Sequence, residues 1–120
     1  MNFVDQIYHY KGIMDADSRC GLKIVKGPDR HIVIATELYE ENPGTSVTDF
    51  NTRLAARLVK EFSLDPERLV FIEHCPDRGS RLEYYRQTFD RVRFKWDGSG
   101  FSNPTWERIS RQDIDEMISG

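Results

Sequence analysis

Two segments of the chain are apolar at nearly every position. Residues 32–35 read IVIA, at the centre of an extended segment over 31–38, and residues 69–72 read LVFI, within 69–74. Successive side chains of a strand point to opposite faces of the sheet, so an unbroken apolar run is typical of a strand buried on both faces. We therefore predict that both segments are central strands.

The stretch between these two strands has the apolar spacing of an amphipathic helix. Ser46 and Asp49 are spaced like a capping box, and Asp65-Pro66 cannot readily continue a helix. We predict one long helix over residues 46–62. A strand, a helix and a strand in succession call for a right-handed crossover and for parallel pairing of the two strands. The apolar stripe consists of Val47, Phe50, Leu54, Leu58 and Phe62.

Four further segments have strand-like patterns or turn residues at their ends. They span residues 5–11, 20–26, 89–96 and 101–106. The last two are joined by residues 97–100, which read DGSG and favour a hairpin. Pro104 predicts that the final strand lies at a sheet edge, because proline removes one donor from the hydrogen-bonded ladder.

A short helix is predicted at the end of the sequence. Ser110 and Asp113 again have capping-box spacing, and Ile109 and Ile114 occupy the positions of a hydrophobic staple. The pattern as a whole predicts an α+β fold with a mixed sheet of five or six strands in the order β-β-β-α-β-β-β-α. The long helix would cover one face, packing on Ile32, Ile34, Val70 and Ile72 or on their neighbours of opposite parity.

Composition narrows the class of protein. With 120 residues, of which 38% are hydrophobic, we expect one domain over residues 1–120. The net charge of −3 provides no global basic field, and no apolar run is long enough for a membrane span. The first residues, MNFVD, do not read as a secretory signal, so we expect a cytoplasmic protein. Cys20 and Cys75 are expected to be unlinked thiols that pack as small apolar side chains.

Polar residues follow the two apolar strands at the point where each strand ends. Parallel strands end on one sheet edge, where the connecting helix also begins, and open α/β sheets bind ligands at that edge. Candidates for acid/base chemistry are Glu37, Glu73 and His74; candidates for ligand binding are Thr45, Ser46, Asp77 and Arg78. Alternatively these are ordinary strand-end and helix-entry residues. No phosphate loop or metal-binding spacing is present, so no cofactor and no metal are predicted.

The predicted strand 89–96 carries a basic stripe, which consists of Arg91, Arg93 and Lys95. These residues alternate with apolar ones and so share one face. Tyr84 and Tyr85 lie upstream, which adds aromatic side chains to a basic segment. Such a surface can contact an acidic protein or a nucleic-acid backbone. Alternatively the charges only keep an exposed sheet face from pairing with other sheets.

Three functional hypotheses follow. The first is a non-catalytic binding or accessory module that engages another protein through a sheet face or edge, because no complete catalytic motif is present. The second is a small-ligand or acid/base enzyme site at the carboxyl edge, built on Glu37, Glu73 and His74. The third is weak nucleic-acid binding through Arg91, Arg93 and Lys95. The absence of a catalytic motif favours a protein that is not an enzyme without deciding the question, and the pattern does not predict an oligomeric state.

Overall fold

The computed structural model describes residues 2–11, 17–37, 52–75 and 88–119. These residues form six strands, two α-helices and a short 3₁₀ helix at Pro66–Arg68. The strands are β1 (Asn2–Lys11), β2 (Asp17–Lys26), β3 (His31–Glu37), β4 (Leu69–Cys75), β5 (Thr88–Trp96) and β6 (Phe101–Ile109); the helices are α1 (Leu54–Glu61) and α2 (Arg111–Ser119). The predicted α+β class is therefore confirmed.

The six strands form one mixed sheet in the order β1-β2-β3-β4-β5-β6. β3 and β4 are central and parallel, with a register that runs from His31 opposite Leu69 to Thr36 opposite His74. The other four pairs are antiparallel. The predicted parallel pairing of the two most apolar strands is thus confirmed, and their carboxyl ends lie on one edge of the sheet.

Each face of the sheet is packed against one helix. On the face that we call the α1 face, Val33, Ala35 and Phe71 form a buried cluster with Leu54 and Leu58 of α1. On the opposite face, the α2 face, a second cluster joins the sheet to α2; its members include Ile32, Val70, Ile72, Phe89 and Ile114. α1 therefore packs on the opposite-parity neighbours of Ile32 and Ile34, which was the second of the two predicted packings.

The first helix differs from the prediction. As described it runs only from Leu54 to Glu61, so a single long helix over residues 46–62 is not confirmed, and positions 46–51 lie outside the described residues. The helix ends because Ser63 takes a left-handed φ of 54°, and the N–H of Leu64 then donates to the carbonyl of Val59 at 3.0 Å.

Several strands are longer than predicted, because backbone pairing extends beyond the segments with clear alternation. β1 and β2 pair from Asn2 opposite Lys26 to Lys11 opposite Asp17. β6 continues to Ile109 and lies at a sheet edge, as Pro104 predicted. Its register against β5 shifts beside Asn103, whose φ is 53°, so the proline sits next to a bulge.

The predicted chemistry of the β5–β6 turn and of the α2 cap is confirmed, whereas the predicted capping box of Ser46 and Asp49 lies outside the described residues. In the β5–β6 hairpin the Asp97 carboxylate accepts hydrogen bonds from the N–H groups of Ser99 and Gly100, both at 2.9 Å. These bonds lower the pKa of Asp97. At the start of α2, the Asp113 N–H donates to Ser110 Oγ at 3.1 Å and the Ser110 N–H donates to Asp113 Oδ2 at 2.9 Å, which is a capping box.

Candidate functional site

His74 lies near the carboxyl end of β4, on the α2 face, and is held by its neighbours. Its Nδ1 shares a 3.0 Å hydrogen bond with Thr36 Oγ1, on the adjacent parallel strand. Its ring stacks on Phe89 of β5, with ring centroids 4.5 Å apart and planes 8° apart. The guanidinium carbon of Arg111 lies 5.3 Å from the centroid of the Phe89 ring. Three elements besides β4 thus build this cluster, which we call the His74 cluster: Thr36, His74, Phe89 and Arg111.

Glu73 lies on the other face of the sheet, because it is the strand neighbour of His74. Its Oε1 accepts a 2.9 Å hydrogen bond from Trp106 Nε1 on β6. The structure therefore does not bring Glu73 and His74 together as an acid/base pair. Glu37 follows Thr36 in β3 and pairs through its backbone with Cys20, and its side chain lies outside the described part of the chain.

The proposed ligand-binding residues at the carboxyl edge lie outside the described residues. They are Thr45, Ser46, Asp77 and Arg78, and the predicted aromatic neighbours Tyr84 and Tyr85 lie outside as well. What the structure describes at this edge is an imidazole fixed by a hydrogen bond and a ring stack. That geometry suits a packed structural side chain, and the histidine has no carboxylate of β4 beside it on its own face.

Metal and thiol chemistry find no support in the described part of the chain. It contains no group of three or more His, Cys, Asp and Glu side chains placed to hold a metal ion. Cys20 is a free, fully buried cysteine, and burial raises the pKa of its thiol to about 12. A thiol with that pKa stays protonated at neutral pH and is a poor nucleophile. Cys20 packs as a small apolar side chain, as predicted.

The basic stripe lies on the α2 face of β5. Arg91 is half-buried beside Ile72, whereas Arg93 and Lys95 are exposed. Arg93 Nη2 is 4.0 Å from Glu107 Oε1 on β6, an exposed and loose ion pair. Burial, followed by the positive charges of Arg93 and Arg30, lowers the pKa of Arg91, and Glu107 acts in the opposite direction.

Arg30 therefore belongs to the same charged surface, which the sequence pattern did not predict. It ends the turn between β2 and β3, on the α2 side of the sheet. Arg30 and Arg91 both line an open groove of about 610 Å³ between α2 and the β5–β6 hairpin. Only the tertiary arrangement of the strands reveals this proximity, because residues 30 and 91 are 61 positions apart in the sequence.

The aromatic residues of β5 lie on the face opposite the basic stripe. Phe94 and Trp96 pack against Phe101 on the α1 face, with ring centroids 4.9 and 4.7 Å from it. The predicted alternation of apolar and basic residues is therefore confirmed. Among the described side chains, no exposed aromatic ring accompanies the stripe on its own face, since Phe89 is buried and the exposed Trp106 lies on the α1 face.

Comparison of the chain with protein-family models, with curated proteins and with solved structures found no match. In the part of the chain that the structure describes, neither helix has the length and apolar character needed to cross a bilayer.

Proposed function

We propose that the protein is a non-catalytic binding module that binds an acidic segment of another protein through the basic stripe, assisted by Arg30. The observation that supports this proposal is the proximity of Arg91 to both Arg30 and Arg93. The carboxylates that line the same groove as Arg30 and Arg91 are Glu107, Asp113 and Glu116. Burial, and after it the charges of Arg93 and Arg30, lowers the pKa of Arg91, so its surroundings disfavour the positive charge. A negative group that contacts Arg91 would stabilise its positive charge.

A carboxylate is well suited to pair with Arg91. The guanidinium group presents several N–H donors in a planar fork that matches the two oxygens of a carboxylate. Arg91 is half-buried, so a contact with it is screened less by solvent than a contact with the exposed Lys95. β5 is hydrogen-bonded on both sides, to β4 and β6, and so holds the stripe on a rigid support.

The position of the aromatic residues favours a polypeptide over a nucleic acid. Proteins that bind single-stranded nucleic acids stack bases on aromatic side chains beside a basic groove. Here Phe94 and Trp96 pack on the opposite face. An acidic polypeptide needs only the charges and hydrogen-bond donors of the basic stripe.

The described part of the carboxyl edge, which includes Glu73 and His74, also favours binding over catalysis. Glu73 accepts a hydrogen bond from Trp106 on one face, while His74 is stacked on Phe89 on the other. A general base must lie within hydrogen-bonding reach of the proton that it removes, together with the groups that assist it. Glu73 and His74 lack that mutual geometry.

The proposal is tested by fluorescence anisotropy with labelled poly-L-glutamate as the probe. We expect binding at low ionic strength, with an affinity that falls as salt is added. Arg93→Glu should weaken binding at least about tenfold, the equivalent of roughly 1.4 kcal/mol. Lys60→Glu is the matched control: Lys60 is exposed on α1, on the other side of the sheet, and its reversal changes net charge by the same amount.

Two results would contradict the proposal. Equal losses in Arg93→Glu and Lys60→Glu would show that only total charge matters. Tight binding of a single-stranded oligonucleotide, with no binding of poly-L-glutamate, would favour the nucleic-acid hypothesis instead.

A further inference from the structure

The two edges of the sheet differ in how easily another strand can join them. At the β6 edge, Pro104 removes a donor and the bulge beside Asn103 interrupts the register. β1 contains no proline and pairs with β2 over all ten of its residues without a register shift. Among the described strands none lies beyond β1, so within the described part of the chain the backbone donors and acceptors of its outer edge are not paired with a strand.

An exposed apolar side chain lies in the middle of this edge. Ile7 is 49% exposed, and it and Trp106 are the large hydrophobic residues of the described chain that are exposed. Ile7 lies on the α2 face opposite Gly21 of β2. A Cβ at Gly21 would lie 3.2 Å from the Cβ of Thr36, which is closer than most such contacts. Because the glycine supplies no side chain, Ile7 is left uncovered on its inner side as well as at the edge.

We propose that a second copy of this chain joins the β1 edge, antiparallel and around a twofold axis that passes through Ile7. The sheets of the two copies would then join into one continuous sheet, in which the two β1 strands are neighbours. The contact is isologous, since the same strand is used by both copies. It would cover the exposed Ile7 side chain of each copy with that of the other.

The residues of β1 favour this register over its neighbours. Directly opposite residues must lie on the same face, so the pairing can shift only in steps that preserve the face of each side chain. Centred on Ile7, the pairing places Asp5 opposite His9 and Gln6 opposite Tyr8, so that a carboxylate faces an imidazole. Centred on Gln6 it would place Asp5 opposite Ile7, and centred on Tyr8 it would place Ile7 opposite His9. The register centred on Tyr8 also places an acid opposite a base, Asp5 opposite Lys11, but among these registers only the one centred on Ile7 places the exposed Ile7 of one copy opposite that of the other.

Analytical ultracentrifugation of the purified chain tests the association. We expect a reversible dimer in a concentration series that extends to about 100 µM. Ile7→Lys should weaken the association at least about tenfold, because two ammonium groups would meet at the axis. The matched control is Trp106→Lys, which changes a similarly exposed apolar residue at the other edge and should leave the dimer intact.

The register is tested independently by cross-linking. Opposite Cβ atoms of antiparallel strands lie about 4.5–5.5 Å apart, which is close to the separation that a disulfide needs. With diamide as the oxidant, Ile7→Cys should form a covalent dimer. Trp106→Cys, which retains the same two native cysteines, should not.

The results of these experiments distinguish a dimer contact centred on Ile7 from any other arrangement. A wild-type chain that stays monomeric throughout the series overturns the proposal, even if β1 then pairs with a strand of a different protein. A dimer that survives Ile7→Lys, or an Ile7→Cys variant that fails to cross-link, shows that the copies meet elsewhere or in another register. Ile7 is exposed, so its replacement should leave the far-UV circular dichroism unchanged. The basic stripe lies on β5, and either proposal can fail without the other.

Discussion

The imidazole of His74 lies nearly parallel to the ring of Phe89, with 4.5 Å between the ring centroids and an angle of 8° between the planes. Thr36 Oγ1 is bonded to the same imidazole at 3.0 Å. His74→Ala removes both interactions, and we expect it to lower the free energy of unfolding by about 1–2 kcal/mol. Urea denaturation followed by circular dichroism measures the change.

Thr36→Val provides a narrower comparison with His74→Ala. It keeps the branched shape but removes the hydroxyl group, so only the hydrogen bond is lost. We expect the free energy of unfolding to fall by about 1 kcal/mol. If both variants were as stable as the wild type, the cluster would have no structural role. His74 would then again be a candidate for a functional side chain.

Leu58 tests the packing of α1 on the sheet. It is fully buried in the cluster that also contains Val33 and Phe71. Leu58→Ala should lower the free energy of unfolding by about 2–5 kcal/mol, because it removes buried apolar surface and leaves a cavity. Lys60→Ala, two residues later and exposed, should change it by less than about 0.5 kcal/mol. If Leu58→Ala and Lys60→Ala both changed the free energy of unfolding by an equally small amount in thermal or urea denaturation, α1 would not pack as described.

His31 predicts a dependence of stability on pH. Its side chain is only 4% exposed, and burial, followed by the charges of Lys26 and Arg68, lowers its pKa below the ordinary 6.5, against a smaller opposing effect of Asp65. Below about pH 6.5 the unfolded chain binds a proton at this position that the folded chain resists, so stability is full above that pH and falls as the pH decreases.

Urea denaturation at about pH 7.5 and about pH 5.5 measures this effect. The loss of stability between the two pH values should be smaller in His31→Leu than in the wild type. If His31→Leu lost as much stability between the two pH values as the wild type does, His31 would not be the source of the pH dependence.

Ser110 caps α2 through its hydroxyl oxygen, which accepts the Asp113 N–H at 3.1 Å. Ser110→Ala should lower the free energy of unfolding by about 1 kcal/mol. Ser119→Ala is a matched serine replacement at the other end of α2, and we expect it to have a smaller effect, since its hydroxyl makes only a 3.5 Å contact with the Glu116 carbonyl. A thermal melt that ranks the two variants in the reverse order would show that the capping box does not stabilise the helix.

The sequence predicted the elements whose signals are local. The unbroken apolar segments identified β3 and β4 as parallel neighbours, and the capping-box spacing identified the start of α2. The face that α1 covers could not be chosen, because Ile32 and Val33 are both apolar and both faces of the sheet are in fact packed against helices. Some strands extend beyond the segments with clear alternation, as β1 does at Asn2. There the backbone pairing depends on the partner strand and not on the local sequence pattern.

The candidate site was predicted only in part, for a similar reason. Alternation along β5 separated the basic stripe from Phe94, and the structure confirms that separation. The approach of Arg30 to Arg91 depends on how three strands lie side by side, which no short motif encodes. The alternation of side chains along a strand also separates Glu73 from His74, although both were predicted to belong to one site.

The most direct test of the proposed function is a titration of ¹⁵N-labelled protein with poly-L-glutamate, followed by NMR. Binding through the basic stripe predicts that the largest shifts fall on the amides of Arg91, Arg93 and Lys95 and on Arg30, with the amides of α1 unchanged. Largest shifts around Thr36 and His74 instead, or uniformly small shifts across the sheet, would contradict the proposal that the basic stripe is the binding surface.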